Sequence, residues 1–227
     1  MLEVDLLDTI ARPRRLTWDS IFRQARARTL EDGEVVISPA ERPTRLFYVE
    51  SGRLRCSVVS ENGGAKAVLY YWPGDLCGET LLFERVPVLP VTVTSYGRSV
   101  VRSIGRVEAR RLMAMNPHLA EDLLASMAAK TVQMVDHVRQ LRFMTVEERV
   151  AEFLYGLYMH MARHAGGDGD GELKITHDEI AEYVGAHRVS VTEALKRLES
   201  SGVVQTGRGR ILVKDPLGLR RGGRRGA

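Results

Sequence analysis

The hydrophobic period of this chain changes near Val107, and that change restricts the fold more than any other feature. From about Thr29 to Arg106 the sequence is a series of short β-branched and aromatic runs: VVIS, RLFYVE, RLRCSVVS, AVLYYW, VTVTSY and VVRSI. Turn residues separate them, at Glu31-Asp32-Gly33, Ser51-Gly52, Asn62-Gly63-Gly64, Pro73-Gly74-Asp75 and Gly97. Asn62-Gly63 is the residue pair that a two-residue hairpin turn demands. So many short strands in succession predict an antiparallel sandwich, jelly roll or barrel.

Beyond Val107 the period becomes helical. Asn116-Pro117 reads as an N-cap and first helical residue, and no glycine or proline follows until after Phe143. Within that run Ala120, Leu124, Met127, Thr131, Met134, Val138 and Leu141 alternate at spacings of four and three. That is an a/d seam, flanked by Asp122, Lys130, Gln133, Asp136 and Arg139, and it predicts a dimer helix. A second helix is expected from Thr145, which opens a Thr-Val-Glu-Glu capping box, to about Arg163. The stretch AGGDGDGE then reads as a flexible loop before a third compact region starting at Leu173.

Composition bounds the chemistry. Two cysteines, Cys56 and Cys77, exclude a disulfide scaffold and a four-cysteine metal cluster. The N-terminus is acidic first and basic later, the reverse of a secretory signal, and no run is long enough for a membrane span. The expected location is therefore cytoplasmic, with no membrane partner. The net charge of +4 hides an asymmetry, since between Arg188 and Arg225 ten Lys/Arg face only Glu193, Glu199 and Asp215. That end of the chain is built to meet a polyanion.

Residues 175–199, ITHDEIAEYVGAHRVSVTEALKRLE, specify how. Thr176 with Glu179 forms a capping box for a short helix. Ala181 is small where two helices cross, Gly185 suits the positive φ of the turn, and Val191 plugs the second helix into the first. This is the steric pattern of a helix-turn-helix. VVQT, GRGR and ILVK follow as a two-stranded wing, with Arg208 and Arg210 at its tip. The expected DNA-facing residues are Thr176, His187, Arg188, Val189, Ser190, Thr192, Glu193, Lys196, Arg208 and Arg210. The corresponding partner is double-stranded DNA.

The order of roll, long helix and winged helix-turn-helix resembles the cyclic-AMP receptor protein / fumarate-nitrate reductase regulator family of bacterial transcription factors. The residues that carry it are Gly33, Phe47-Tyr48-Val49, Gly52-Arg53-Leu54, Pro73-Gly74-Asp75 and Gly78-Glu79, then Ile175-Thr176, Glu179-Ile180, Val184-Gly185 and Arg188. The resemblance covers about Leu30 to Pro216 and implies an α+β chain. Its parts would be an N-terminal helical segment (1–28), an antiparallel β-roll like a cyclic-nucleotide-binding jelly roll (29–112), a dimerisation helix (113–143), a winged helix-turn-helix (144–217) and a basic disordered tail (218–227). It further implies a homodimer that binds a palindromic operator under the control of a small effector, with RNA polymerase as a candidate partner. The seam would be Leu124, Met127, Thr131, Met134, Val138 and Leu141.

The sequence departs from the family at the effector site. Cyclic-nucleotide binders pair Gly-Glu with an Arg-Ser clamp about ten residues on; here Gly78-Glu79 is present, but the clamp positions are Leu89-Pro90. A buried phosphate without a cation is costly, so cyclic AMP is not the expected effector. No cysteine precedes Cys56 and no histidine precedes His118, which removes the iron–sulfur and haem patterns of other members. An unidentified small molecule is expected instead, in a pocket lined by Tyr70, Trp72, Glu79, Thr94 and Tyr96 with Met134 and His137 from the helix. No cofactor, metal site or catalytic residue is expected. A cupin-type metalloenzyme would need histidines on the strands, and all six lie outside them. An effector-independent DNA binder, or one controlled by the Cys77 thiol, is the remaining alternative.

Overall fold

The computed structural model describes residues 17–38, 44–59, 65–83, 90–164 and 171–222. Residues 1–16, the Asn62-Gly63 turn, Leu89, most of the glycine-rich loop after His164 and residues 223–227 lie outside them. The chain forms two compact units, Met1–Met134 and Val135–Ala227. No helix among the described residues is long and apolar enough to cross a membrane.

The first unit contains α1 (Thr17–Phe22), β1 (Ala27–Leu30), β2 (Val35–Ile37), β3 (Arg45–Ser51), β4 (Leu54–Val59), β5 (Ala65–Tyr71), β6 (Leu76–Cys77), a 3-10 turn (Glu79–Leu82), β7 (Val91–Ser95), β8 (Ser99–Gly105), α2 (Arg106–Met115) and the start of α3 (Pro117–Phe143). Two four-stranded antiparallel sheets, in the orders β1-β8-β3-β6 and β2-β7-β4-β5, make the predicted sandwich. Alternation along β3 divides its side chains between two cores. Phe47 and Val49 join Leu30, Leu54, Cys56, Tyr71, Cys77, Val93 and Val101 between the sheets. Leu46 faces the other way, into a cluster with Trp18, Phe22, Leu76, Leu82, Ala109, Leu119 and Leu123. That second core ties the helices to the roll, and the indole of Trp18 donates to the Leu119 carbonyl at 2.9 Å. Strands β1 and β6 were not among the sequence runs: β1 buries only Leu30, and β6 is two residues long, too short to show a period.

The helical region after Val107 is two helices. The predicted boundary at residue 113 falls inside α2, and the long helix starts at Pro117 after a break at Asn116. Asn116 caps it as expected, its Oδ1 accepting the His118 N–H at 3.2 Å.

The second unit contains the end of α3, then α4 (Val146–His164), β9 (Glu172–Leu173), α5 (His177–Val184), α6 (Arg188–Ser200), β10 (Val204–Gly207), β11 (Arg210–Val213) and α7 (Pro216–Gly222). Thr145 and Glu148 form the expected box: the Thr145 N–H reaches Glu148 Oε2 at 2.7 Å, and the Glu148 N–H returns to Thr145 Oγ1 at 3.3 Å. The wing corrects the prediction, because β9 joins β11 and makes it three-stranded, with Leu173 opposite Ile211. A second correction concerns the tail expected to be disordered from 218. Its described part, to Gly222, is helical. Pro216 is preset for a first helical turn, the Leu219 N–H bonds the Asp215 carbonyl at 3.2 Å, and Leu219 is wholly buried. One apolar anchor outweighs the basic, glycine-rich composition there.

Candidate nucleic-acid interface and the site inside the roll

Two short helices build the interface. The box at Thr176 and Glu179 starts α5, and α5 ends at Gly185, whose φ of 63° only glycine adopts at little cost. A Cβ there would also meet the Leu141 side chain at 3.0 Å. The Arg149 guanidinium donates to the Val184 carbonyl at 2.6 Å and so satisfies a helix-end acceptor. These contacts fix the turn that aims α6.

One side of α6 is core. Val191, Ala194, Leu195 and Leu198 are buried, while Arg188, Val189, Glu193 and Lys196 are exposed and Ser190 and Thr192 are half-buried. Thr176, His187, Arg208 and Arg210 are exposed as well. Burying Val189 would gain apolar stabilisation, yet it stands 69% exposed at the start of α6. Polar links fix the two helices against each other. His177 Nδ1 lies 3.0 Å from Thr192 Oγ1, which donates to the Arg188 carbonyl at 3.0 Å. The Glu199 carboxylate accepts the Thr206 N–H at 2.8 Å, anchoring the wing to the end of α6 and lowering the pKa of Glu199 through that bond and the Thr206 hydroxyl. Arg210, at the wing tip, pairs with Glu172 at 3.5 Å.

The predicted effector pocket does not assemble as one lining. Leu54 pairs with Tyr71 and Arg55 with Tyr70, and cross-strand partners share a face. Leu54 is buried in the roll core, so Tyr71 points inward and Tyr70 outward. Thr94, which also pairs with Arg55, lies on the outward face. Tyr96 and Trp72 follow it, with Tyr70 edge-on to Tyr96 at 5.9 Å and the Arg53 guanidinium 4.5 Å over Tyr96 and 5.6 Å over Trp72. Glu79 is elsewhere. Gly78, at φ 89°, turns the chain into the 3-10 turn, where Glu79 is buried. Of the two helix residues, Met134 is half-exposed, and His137 belongs to the second unit, edge-on to Tyr183 at 6.4 Å. Burial there, with Arg149 adding to it, lowers the His137 pKa.

What Glu79 does meet was not among the predicted lining. Ser126 Oγ donates to its Oε1 at 2.8 Å, and Lys130 pairs with the same oxygen. Lys130 Nζ also donates to the Leu76 carbonyl at 2.6 Å and stands 5.0 Å over the Tyr71 ring. The ammonium's three donors thus have a carboxylate, a carbonyl and a ring face. Burial is nearly complete, with side-chain exposure of 14% for Lys130 and 5% for Glu79. The signal was in the sequence: Leu119, Leu123, Ser126 and Lys130 form their own helical stripe, one residue before the seam at each step. Beside them lie the Cys56 and Cys77 thiols, free and buried. Burial pushes Cys56 up to about 11 and Cys77 higher, so both stay protonated and thiolate chemistry is suppressed.

The predicted seam of α3 lies on the open side of the helix. Leu124 is 64%, Met134 52%, Val138 65% and Leu141 46% exposed; Thr131 is exposed and Met127 half-buried. Val135, at 65%, widens the apolar strip. Among the described residues no three metal-ligating side chains converge.

Comparison with known proteins places this geometry. A family model described as the cyclic nucleotide-binding domain matches residues 27–116, and one described as the Crp-like helix-turn-helix domain matches residues 148–221. Over 169 residues, 74% of this chain and 80% of the relative, the chain is 29% identical to the cAMP-activated global transcriptional regulator CRP of Escherichia coli O157:H7. Over 194 residues it is 28% identical to the CRP-like cAMP-activated global transcriptional regulator of Mycobacterium tuberculosis, covering 83% of this chain and 84% of that one. The structure of FixK2 from Bradyrhizobium japonicum superposes with a TM-score of 0.74 at 22% identity, covering 87% of this chain and 96% of FixK2.

Proposed function

Because this chain belongs to the CRP/FNR family of transcription regulators, DNA-binding proteins rather than enzymes, we propose that it acts as a homodimer on a palindromic operator and answers to a small effector other than cyclic AMP. The observation that carries the reading is α6, one side buried and the other presenting Arg188, Val189, Glu193 and Lys196 beside a basic wing. Arg188, at the N-terminal end of α6, is placed to bond guanine O6 and N7 with two donors. Val189 packs on a thymine methyl, and Lys196, Arg208 and Arg210 take phosphates, with Thr176, His187, Ser190 and Thr192 completing the contact face. Two-fold symmetry sets the half-sites about one helical turn apart. RNA polymerase is a further proposed partner of the DNA-bound dimer, in the cytoplasm, and the basic end of the chain adds sequence-independent phosphate contacts.

Selection from random DNA tests the readout. Arg188→Ala should lose preference at one base pair and about 1–3 kcal/mol per half-site. Arg208→Ala should weaken all sequences alike and flatten the salt dependence. An unchanged motif with Arg188→Ala overturns the assignment.

At the roll, the Glu79 carboxylate is already engaged by Lys130 and Ser126, which supports an effector other than a cyclic nucleotide. Titration calorimetry with cyclic AMP should show no micromolar binding; binding at that level with operator affinity rising in step would overturn the reading. The same ion pair favours a second reading, in which the protein holds its DNA-binding form with no effector. Operator affinity that does not change on adding metabolites from a cell extract would select it.

A further inference from the structure

We propose that Asp178 is a specificity-determining positioning residue: it holds the Arg188 guanidinium by its Nε and leaves the Nη fork for a base. The proposal rests on the assignment of Arg188 as the base-reading residue. Asp178 lies in the first turn of α5, Arg188 in the first turn of α6, and Asp178 Oδ1 stands 3.3 Å from Arg188 Nε. Both side chains are about two-thirds exposed, so the pair adds little to folding. Its neighbour Glu179 has a structural task in the capping box; Asp178 has none there.

A carboxylate on a surface meant for phosphates costs affinity for every DNA sequence. It is a net gain only if it discriminates, and the geometry supplies the means. A long, freely rotating arginine can satisfy itself on the nearest phosphate whatever the bases are. Paired with a carboxylate on its Nε edge, the guanidinium is biased to turn its Nη edge outward and present two parallel donors, the arrangement that guanine O6 and N7 accept. Where guanine is replaced, those donors lose their acceptors, and a guanidinium paired with Asp178 swings less readily to a phosphate that would compensate. The neighbouring His177–Thr192 link holds the backbone of the same turn, so head and base of Arg188 are fixed from one element.

The two roles of Asp178 predict opposite changes in two measurements. Take the operator selected by the wild-type dimer, the same operator with the Arg188-dependent base pair replaced, and a random duplex. By fluorescence anisotropy, Asp178→Asn should bind the random duplex about threefold more tightly with a steeper salt dependence. It should discriminate between the two operators about threefold to tenfold less well. Asp178→Glu, which keeps the charge, should retain most of the discrimination. In an Arg188→Ala background, Asp178→Asn should still raise random-duplex affinity but leave discrimination unmoved. Undiminished discrimination by Asp178→Asn, while Arg188→Ala abolishes it, overturns the role of Asp178 and leaves the readout standing. Arg188→Ala with an unaltered motif overturns both.

Discussion

Replacing Lys130 with methionine should destabilise the first unit by about 3–5 kcal/mol, the cost of leaving a buried carboxylate without its cation. Glu79 is 4% exposed, and in the variant it would keep only the Ser126 hydroxyl. The carboxylate then sits in a poorly solvated site with no cation to offset its desolvation. The double variant Glu79→Gln/Lys130→Met should recover most of the loss, since a neutral pair of similar volume removes both the attraction and the desolvation. Urea unfolding followed by tryptophan fluorescence isolates the effect, because both tryptophans, Trp18 and Trp72, lie in the first unit. A Lys130→Met variant within about 1 kcal/mol of wild type would mean that water or a neighbouring donor replaces the ammonium. The pair fastens the middle of α3 to β6 and the 3-10 turn, so a proposed effector that bonds Glu79 Oε1 would have to displace Lys130 or Ser126.

The difference between what the residues announced and what they concealed follows from the range of the forces involved. The helix-turn-helix was legible because its constraints are local: Thr176 and Glu179 are three apart, Gly185 and Val191 six apart, and each acts within or between adjacent turns. The long helix α3 and its apolar strip were legible because one period repeats along a single element. The roll site is non-local. Whether Tyr70 or Tyr71 faces inward depends on the pairing of β4 with β5, and the register shifts between Cys56 and Ser57, so alternation alone leaves the face open. Lys130 was visible only as a charge flanking the seam. Its role emerges when Leu119, Leu123 and Ser126 are placed on the roll, 100° around the helix from the seam. The described part of the tail, to Gly222, was hidden for the opposite reason: composition averaged over 218–227 masked the single leucine, Leu219, that anchors α7.

Met134→Glu should weaken the proposed dimer by about 3–5 kcal/mol, roughly two to four decades in dissociation constant. Met134 is half-exposed in the single chain, so a carboxylate there is solvated and leaves the monomer fold intact. Across a two-fold axis the substitution places two like charges in an apolar interface, and neither has a cation opposite. The strip that would be covered, Leu124, Met134, Val135, Val138 and Leu141, is mostly more than half exposed in the single chain. Gln133→Glu, one residue along and flanking the seam, should change association by about threefold or less, since a rim charge stays hydrated. Sedimentation equilibrium at micromolar concentration checks both variants. Operator affinity should fall with the dimer, because two half-sites held by one particle gain an effective concentration that separate subunits lack. A wild-type monomer at micromolar concentration, or an undisturbed Met134→Glu dimer, would show that this strip is not where two copies meet.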